Sequence, residues 1–184
     1  SSISIPMMFG LMAISKQFAP WFLGSGFQMA GQIMFLESPV IVLIAWSNVT
    51  GTQYLMPVNR VKEFTTSVTI GAVSNVAFNL VLIPFWGANG ATLATVGSEF
   101  LVTASQLVMI RKTISRRKMF GEVWKYAVSG LVMFIIVNRI SNTIQMTIAN
   151  LALEVAVGIV IYLSGLFILH AKILSQAKNI IGKN

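Results

Sequence analysis

The sequence predicts an all-α integral membrane protein, a polytopic bundle of about six transmembrane helices. Composition is the first reason: 55% of the 184 residues are hydrophobic and only 10% are charged, whereas a soluble domain has roughly 25% charged residues. The second reason is that the apolar residues form runs near the ~20 residues that cross a bilayer. Basic residues stand between these runs, as in loops at a membrane surface.

Six apolar runs follow one another, and most end at a recognisable local signal. The first is short and polar at both ends, and we expect it to stop at a surface turn formed by Pro20, Trp21 and Gly24. A polar connection, 47–62, separates the second run from the third. Only the turn 85–90 joins the third run to the fourth, which predicts a tight helical hairpin. The runs are 3–19, 27–46, 64–84, 91–110, 123–140 and 147–169.

The net charge of +8 predicts an orientation in the membrane. If the helices alternate in direction, nearly all bases fall on one side, and only Lys16 and Arg139 lie near the other. Short loops rich in Lys and Arg stay in the cytoplasm, so we expect the turn 85–90 outside and the C-terminus in the cytoplasm. This pattern favours a membrane partner and no nucleic acid. The bases on the cytoplasmic side are Arg60, Lys62, the cluster 111–118, Lys125, Lys172, Lys178 and Lys183.

Several kinds of chemistry are not expected. The sequence has no Cys, no Asp and a single His, which argues against a metal site and against a glycosyltransferase with an acidic metal-binding motif. No phosphate-binding loop or Ser-His-Asp arrangement is present. We therefore expect no catalytic residue, no metal, no cofactor and no enzymatic activity. Because the chain starts at Ser1 without a signal peptide, we also expect it to be a fragment.

Ionisable residues inside the apolar runs are the candidates for a substrate lumen, because a charge at the bilayer centre costs at least ~2.5 kcal/mol. For Glu99 and Glu154 we favour a water-filled path over structural pairing. For Glu37 the two interpretations are balanced. Lys16 suits an anionic substrate such as a phosphate, but snorkelling to the interface explains Lys16 almost as well, and Arg139 too can snorkel. The candidates for the lumen are Lys16, Glu99, Glu154 and Arg139.

Polar and small residues recur at helical spacing on three of the predicted helices. Such stripes indicate helix contacts, because small side chains let backbones approach and amides bond across an interface. The stripes are Ser67, Gly71, Asn75 and Asn79; Thr95, Glu99, Thr103 and Gln106; and Asn150, Glu154, Gly158 and Tyr162. We predict a packing role in the hairpin for Asn75, Asn79, Gly90, Ala94 and Thr95.

The hairpin also carries the most specific pattern in the chain. It reads N-x-x-x-N from Asn75 to Asn79, then Ile-Pro ending at Pro84, then G-x-x-G-A-x-x-A-T from Gly87 to Thr95. Together with the segments 5–24 and 48–57, it resembles the Wzx-type polysaccharide flippases of the multidrug, oligosaccharidyl-lipid and polysaccharide (MOP) exporter superfamily. The hairpin points to the superfamily, which also includes MATE drug exporters, and the segment 48–57 narrows the resemblance to the polysaccharide branch.

The resemblance implies the C-terminal lobe of a two-lobe transporter, with 1–112 as a four-helix core and 113–184 as two further helices and a tail. The implied activity is alternating access that moves undecaprenyl-pyrophosphate-linked oligosaccharide repeat units across the bacterial cell membrane, for capsule, exopolysaccharide or O-antigen synthesis. Lys16 and Arg139 would meet phosphates, and Glu99 and Glu154 would couple an ion or proton. Implied partners are the lipid-linked substrate, membrane lipid, a polysaccharide polymerase and a chain-length regulator.

Two alternatives remain open. A drug or metabolite exporter of the same superfamily would use a more acidic and apolar cavity for organic cations. A non-transporting scaffold of a glycan synthesis complex would need no cavity, and the intramembrane acids argue against it.

Overall fold

The computed structural model describes residues 1–114 and 120–171, and this part of the chain is helical without any strand. The prediction of an all-α helix bundle is confirmed. The helices are α1 (Ser4–Leu23), α2 (Gln28–Glu37), α3 (Val40–Ser47), a π-helix (Asn48–Leu55), α4 (Val61–Ile110), α5 (Val123–Ser141) and α6 (Ile148–Ile168).

Within residues 1–114 and 120–171, four helical stretches are long and apolar enough to cross a membrane. They are the continuous stretch Gln28–Leu55, which joins α2, α3 and the π-helix, and the helices α4, α5 and α6. Helix α4 has 50 residues, more than twice the ~20 that a span needs, and its backbone breaks at Gly87 with φ 54° and ψ −128°. It therefore holds two spans. Helix α1 has 20 residues and thus the length, but it is too polar to join this group.

The two arms of α4, 61–86 and 88–110, run antiparallel. Near the open end, Gln106 Nε2 donates a hydrogen bond to Ser67 Oγ at 3.0 Å. Halfway along, Asn75 Nδ2 donates to Ser98 Oγ at 3.1 Å. This is the helical hairpin that the sequence predicts.

The helices pack in a row rather than around one axis. Helix α4 contacts α2, α3 and the π-helix, α2 and α3 contact α1, and α1 contacts α5 and α6. An apolar core joins α1, α5 and α6 through Ala13, Met133, Val137, Tyr162 and Leu166. Helix α1 thus links the hairpin side of the molecule to the last two helices. The division into units 1–112 and 113–184 stays a prediction.

Two expected boundaries are wrong. The connection 47–62 is helical up to Leu55, because the segment packs against α4. The turn expected at Pro20 instead begins at Gly24, whose φ of 109° ends α1. Pro20 lies inside the last turn of α1, where its missing N–H leaves one helical hydrogen bond unmade.

The described bases separate between the two ends of the bundle. Arg60 Nη2 donates to the Met109 carbonyl oxygen at 3.0 Å, and Lys125 Nζ donates to that of His170 at 3.1 Å. Together with the ring contact between Trp46 and Phe120, these contacts place the connection 55–61, the end of α4, the start of α5 and the end of α6 at one end, which we call the basic end. Which membrane face it meets stays a prediction. The predicted bases Arg116, Arg117, Lys118, Lys172, Lys178 and Lys183 lie outside the described residues.

Candidate functional site

An open groove runs between α4 and the π-helix. Its volume is about 680 Å³. Glu99, Thr95 and Asn75 line it from α4, and Asn48 and Thr52 line it from the π-helix, with apolar side chains between them. The Glu99 side chain is half-buried. With Ser47 and Ser98, the groove presents one carboxylate, two amides and four hydroxyls beside apolar surface, a mixture able to bind sugar hydroxyls.

Nearer the basic end than Glu99, a buried network of hydrogen bonds joins the π-helix to both arms of the hairpin. Gln106 is fully buried, and Thr50 Oγ1 donates to its Oε1 at 2.6 Å while its Nε2 donates to Ser67 Oγ at 3.0 Å. Gly51 lies so close that a Cβ there would stand 2.9 Å from Gln106 Nε2. Thr103 Oγ1 donates to a carbonyl oxygen of α3 at 3.0 Å. One predicted polar stripe therefore divides into a groove half and a packed half.

The predicted packing residues of the hairpin occupy different positions. Asn75 bonds across the hairpin to Ser98 at 3.1 Å, whereas Asn79 Nδ2 donates to the backbone oxygen of Asn75 in its own helix at 2.9 Å. Gly90 and Ala94 are buried where the second arm leaves the turn. Of the two asparagines, Asn75 makes the hydrogen bond that joins the two arms, and Asn79 bonds to Asn75 within the first arm. Their roles in the working protein stay predictions.

Glu154 occupies a second polar region, at the end of the bundle opposite the basic end. Its side chain is only 1% exposed, and its Oε2 atom has no hydrogen-bond partner among the described residues. The Ser141 side chain is a polar neighbour of this carboxyl group. Gln17 from α1 and Asn142 beyond α5 extend the cluster, with Gln17 Nε2 donating to Asn142 Oδ1 at 2.8 Å. The prediction that Glu154 lines a lumen stays a prediction.

The remaining candidates are exposed. Lys16 lies on the surface of α1, with its Nζ atom 5.3 Å from the centroid of the Phe35 ring, a distance typical of a cation–π contact. Arg139 is exposed in the last turn of α5, and Glu37 is exposed at the end of α2. The structure therefore does not bring the four lumen candidates to one place: Glu99 lines the groove on α4, and the others lie on α1, α5 and α6.

Two ion pairs among the described residues were not predicted, Arg60–Glu63 and Lys125–Glu122. Arg60 pairs with Glu63, its Nη2 donating to Glu63 Oε1 at 2.9 Å, and also bonds to the Met109 carbonyl oxygen. It thereby ties the end of the π-helix to both arms of the hairpin. The hydrogen bonds to the Glu63 carboxylate raise the pKa of the Arg60 guanidinium. The i, i+3 spacing of the two residues was the available signal.

No three potential metal ligands of the His, Cys, Asp and Glu types cluster within residues 1–114 and 120–171.

Comparisons with known proteins agree with the fold. No protein-family model matches the sequence. An uncharacterized membrane protein of Methanocaldococcus jannaschii is 29% identical over 136 residues, which are 74% of this chain and 27% of that protein. The lipid II flippase MurJ, in an inward closed conformation, superposes with a TM-score of 0.79 at 17% identity, covering 94% of this chain and 37% of the flippase.

These results establish a membrane protein with the fold of part of a flippase. The chain spans 27% of the curated relative and 37% of the solved flippase. Both proteins are much longer than the chain.

Proposed function

We propose that the chain is one lobe of a MOP-type flippase that moves a lipid-linked oligosaccharide from the inner to the outer leaflet of a bacterial cell membrane. The observation that carries this proposal is the likeness in fold to a lipid II flippase, with a TM-score of 0.79 over 94% of the chain. The hairpin pattern from Asn75 to Thr95 supports the superfamily, and the segment 48–57 supports its Wzx-type branch. We accordingly propose an undecaprenyl-pyrophosphate-linked repeat unit as the substrate.

An amphiphilic substrate needs polar and apolar surfaces side by side, and α4 offers both. Glu99, Asn75 and Asn48 line the groove and can exchange hydrogen bonds with sugar hydroxyls. On the first arm of α4, Val73 is 65% exposed and Leu80 is 73% exposed. Such exposed apolar side chains can contact the polyprenyl tail of the substrate as well as the acyl chains of the membrane. The glycan would thus lie in the groove while the polyprenyl chain stays in hydrocarbon.

The two exposed cations suit the pyrophosphate. Lys16 and Arg139 lie at the end of the bundle opposite the basic end, which is the outer end in the proposed orientation. Guanidinium and ammonium groups bind phosphate oxygens through charge-assisted hydrogen bonds. We propose that they attract the pyrophosphate as the substrate reaches the outer leaflet. A polysaccharide polymerase and a chain-length regulator would act on the product there.

Alternating access would need a second lobe facing this one. Transporters of this kind rock one helical unit against another around a site near the bilayer midplane. The groove lies on one side of the row of helices, between α4 and the π-helix, and is open. We propose that this open side faces the second lobe of the complete protein.

The proposal is tested with the protein encoded by the complete open reading frame that contains this chain. It is reconstituted into vesicles carrying an undecaprenyl-pyrophosphate-linked oligosaccharide, and an impermeant glycosidase added outside measures how much glycan is accessible. Vesicles without protein give the outer-leaflet fraction. We expect the protein to raise the accessible fraction above that value with time.

Two results would overturn the proposal. If glycan accessibility equals that of empty vesicles while an organic cation is transported, the protein is a drug or metabolite exporter. If neither moves in vesicles whose protein is shown to be folded, the scaffold interpretation replaces the flippase.

A further inference from the structure

A chain of hydrogen bonds near Glu154 has a direction fixed by the backbone. It starts at Asn142, whose Nδ2 atom lies 2.6 Å from the carbonyl oxygen of Asn138. A carbonyl oxygen can only accept a hydrogen bond. The Asn142 amide nitrogen must therefore point to that carbonyl, and its Oδ1 atom points away as an acceptor.

The next link carries this direction into α1. Gln17 Nε2 donates to Asn142 Oδ1 at 2.8 Å, so the Oε1 atom of Gln17 faces Ser141. Ser141 Oγ lies 3.3 Å from that oxygen and donates its hydrogen to it. A hydroxyl has one hydrogen. Once Ser141 has donated it to Gln17, the hydroxyl oxygen can only accept from its other neighbour.

That other neighbour is Glu154, with Ser141 and Glu154 each 1% exposed. A carboxylate has only acceptor atoms, so a charged Glu154 would face the lone pairs of Ser141 without a donor. Its Oε2 atom has no partner among the described residues. A neutral carboxylic acid instead has an O–H group that Ser141 can accept.

No cation from the helices packed around Glu154 neutralises it within the described part of the chain. On α1, Lys16 is exposed and lies over the Phe35 ring; on α5, Arg139 is exposed. The other titratable groups of α5 and α6 lie nearer the basic end: Lys125, which pairs with Glu122 at 3.0 Å, and Tyr126 and Tyr162. The Tyr162 hydroxyl bonds to the Ser2 carbonyl oxygen at 2.8 Å. The described ion pairs involve Glu63 and Glu122.

We propose that Glu154 is a proton-binding site: when α1 is packed against α5 and α6, its carboxyl group is protonated and donates a hydrogen bond to Ser141. Loss of the proton would leave a buried carboxylate without a donor, which is strongly unfavourable. Proton release therefore requires α1 to move away and admit water. If this movement is part of the transport cycle, which rests on the proposed function, proton binding is coupled to it.

Infrared spectroscopy detects the protonated acid directly. The full-length protein in lipid nanodiscs is measured at neutral pH, where a protonated carboxyl group gives a carbonyl band that a carboxylate lacks. We expect this band in the native protein and in Glu37→Gln, a control at an exposed acid. Glu154→Gln should lose it. A native spectrum at neutral pH identical in this region to that of Glu154→Gln would overturn the proposal.

Ser141→Ala keeps the test decisive if Glu154→Gln does not fold. Removing the acceptor should leave the band but shift it to higher frequency, because the acid loses its hydrogen bond. A band that does not respond to Ser141→Ala would contradict the proposed contact. Neither infrared result depends on glycan transport, so the proton site and the flippase activity can fail separately.

The pH dependence of stability gives an independent readout. A group that binds its proton more tightly when folded than when unfolded stabilises the fold at low pH, and this stabilisation is lost as pH rises. The melting temperature of the native protein should therefore fall from mildly acidic to alkaline pH more steeply than that of Glu154→Gln. Glu37→Gln should keep the native slope. Equal slopes for native protein and Glu154→Gln would contradict the proposal.

Discussion

The hairpin network and the α1–α5–α6 cluster each bury one large polar side chain, but they satisfy it differently. Gln106 is fully buried, and both of its amide atoms have hydroxyl partners, Thr50 and Ser67. Glu154 is 1% exposed and has an oxygen with no partner among the described residues. The two side chains are therefore alike in burial. The difference lies in whether the hydrogen bonds are complete.

The groove gives a third situation between these two. Glu99 is half-buried and belongs to the same stripe as Gln106, yet it lines an open volume. A side chain that reaches water needs no protein partner for stability. Polar residues of one helix can therefore serve packing at one level and binding at another, and substitutions along the stripe should separate these roles.

The largest effect is expected at the hairpin turn. A Cβ atom at Gly90 would overlap the backbone carbonyl oxygen of Leu82, and backbone cannot move aside as a flexible side chain can. Gly90→Ala should therefore lower the free energy of unfolding in detergent by about 3 kcal/mol. Gly26→Ala is the matched control, because nothing lies within 4 Å of a Cβ there. Equal stability of the two variants would mean that the hairpin turn is open.

A smaller effect is expected at the buried amide. Gln106→Leu removes the two hydrogen bonds that join Thr50 and Ser67 through one amide, and each hydroxyl then has only a backbone carbonyl oxygen nearby as a partner. We expect a loss of about 2 kcal/mol in the free energy of unfolding. Gln32→Leu, at an exposed position of α2, controls for the change in polarity. If Gln106→Leu matched this control, the packing would depend on apolar contacts alone.

The two asparagines should differ from each other. Asn75→Leu breaks the bond to Ser98 across the hairpin and should cost about 1 kcal/mol. Asn79→Leu breaks bonds within one helix and should cost less. Thermal unfolding of the two variants side by side measures the difference. A larger loss from Asn79→Leu would show that Asn79 makes its main contact outside this chain.

Much of the fold is predictable from hydropathy. The predicted run 123–140 matches α5 (Val123–Ser141) within one residue, because a helix needs about 20 apolar residues to cross the bilayer. The helical hairpin follows from the short turn around Gly87. In contrast, the π-helix was missed because its polar composition is that of a loop. Its helical state depends on packing against α4, which no local pattern reveals.

The sites are less predictable than the fold. Periodicity places Glu99 and Gln106 on one face of α4. Their burial differs because the π-helix packs against Gln106 and leaves Glu99 at an open groove. Likewise, the sequence identifies Glu154 as an intramembrane acid. Its relation to Gln17 and Ser141 joins residues more than a hundred positions apart, and only the tertiary structure can show it.

The groove itself is tested by Glu99→Gln, the substitution with the smallest expected effect on stability. The amide keeps the shape of the side chain and removes its charge, and a half-buried residue at an open groove should tolerate this change. Glu37→Gln, at an exposed acid outside the groove, is the control.

The deciding measurement is glycan export per molecule of membrane-inserted full-length protein, compared between these two variants in cells that lack their own flippase. If the groove binds the lipid-linked glycan, Glu99→Gln should be as abundant as the native protein but export at least ~10-fold less, a loss equivalent to about 1.4 kcal/mol. Glu37→Gln should export normally. Full export by Glu99→Gln at native abundance would contradict a role for this groove in transport.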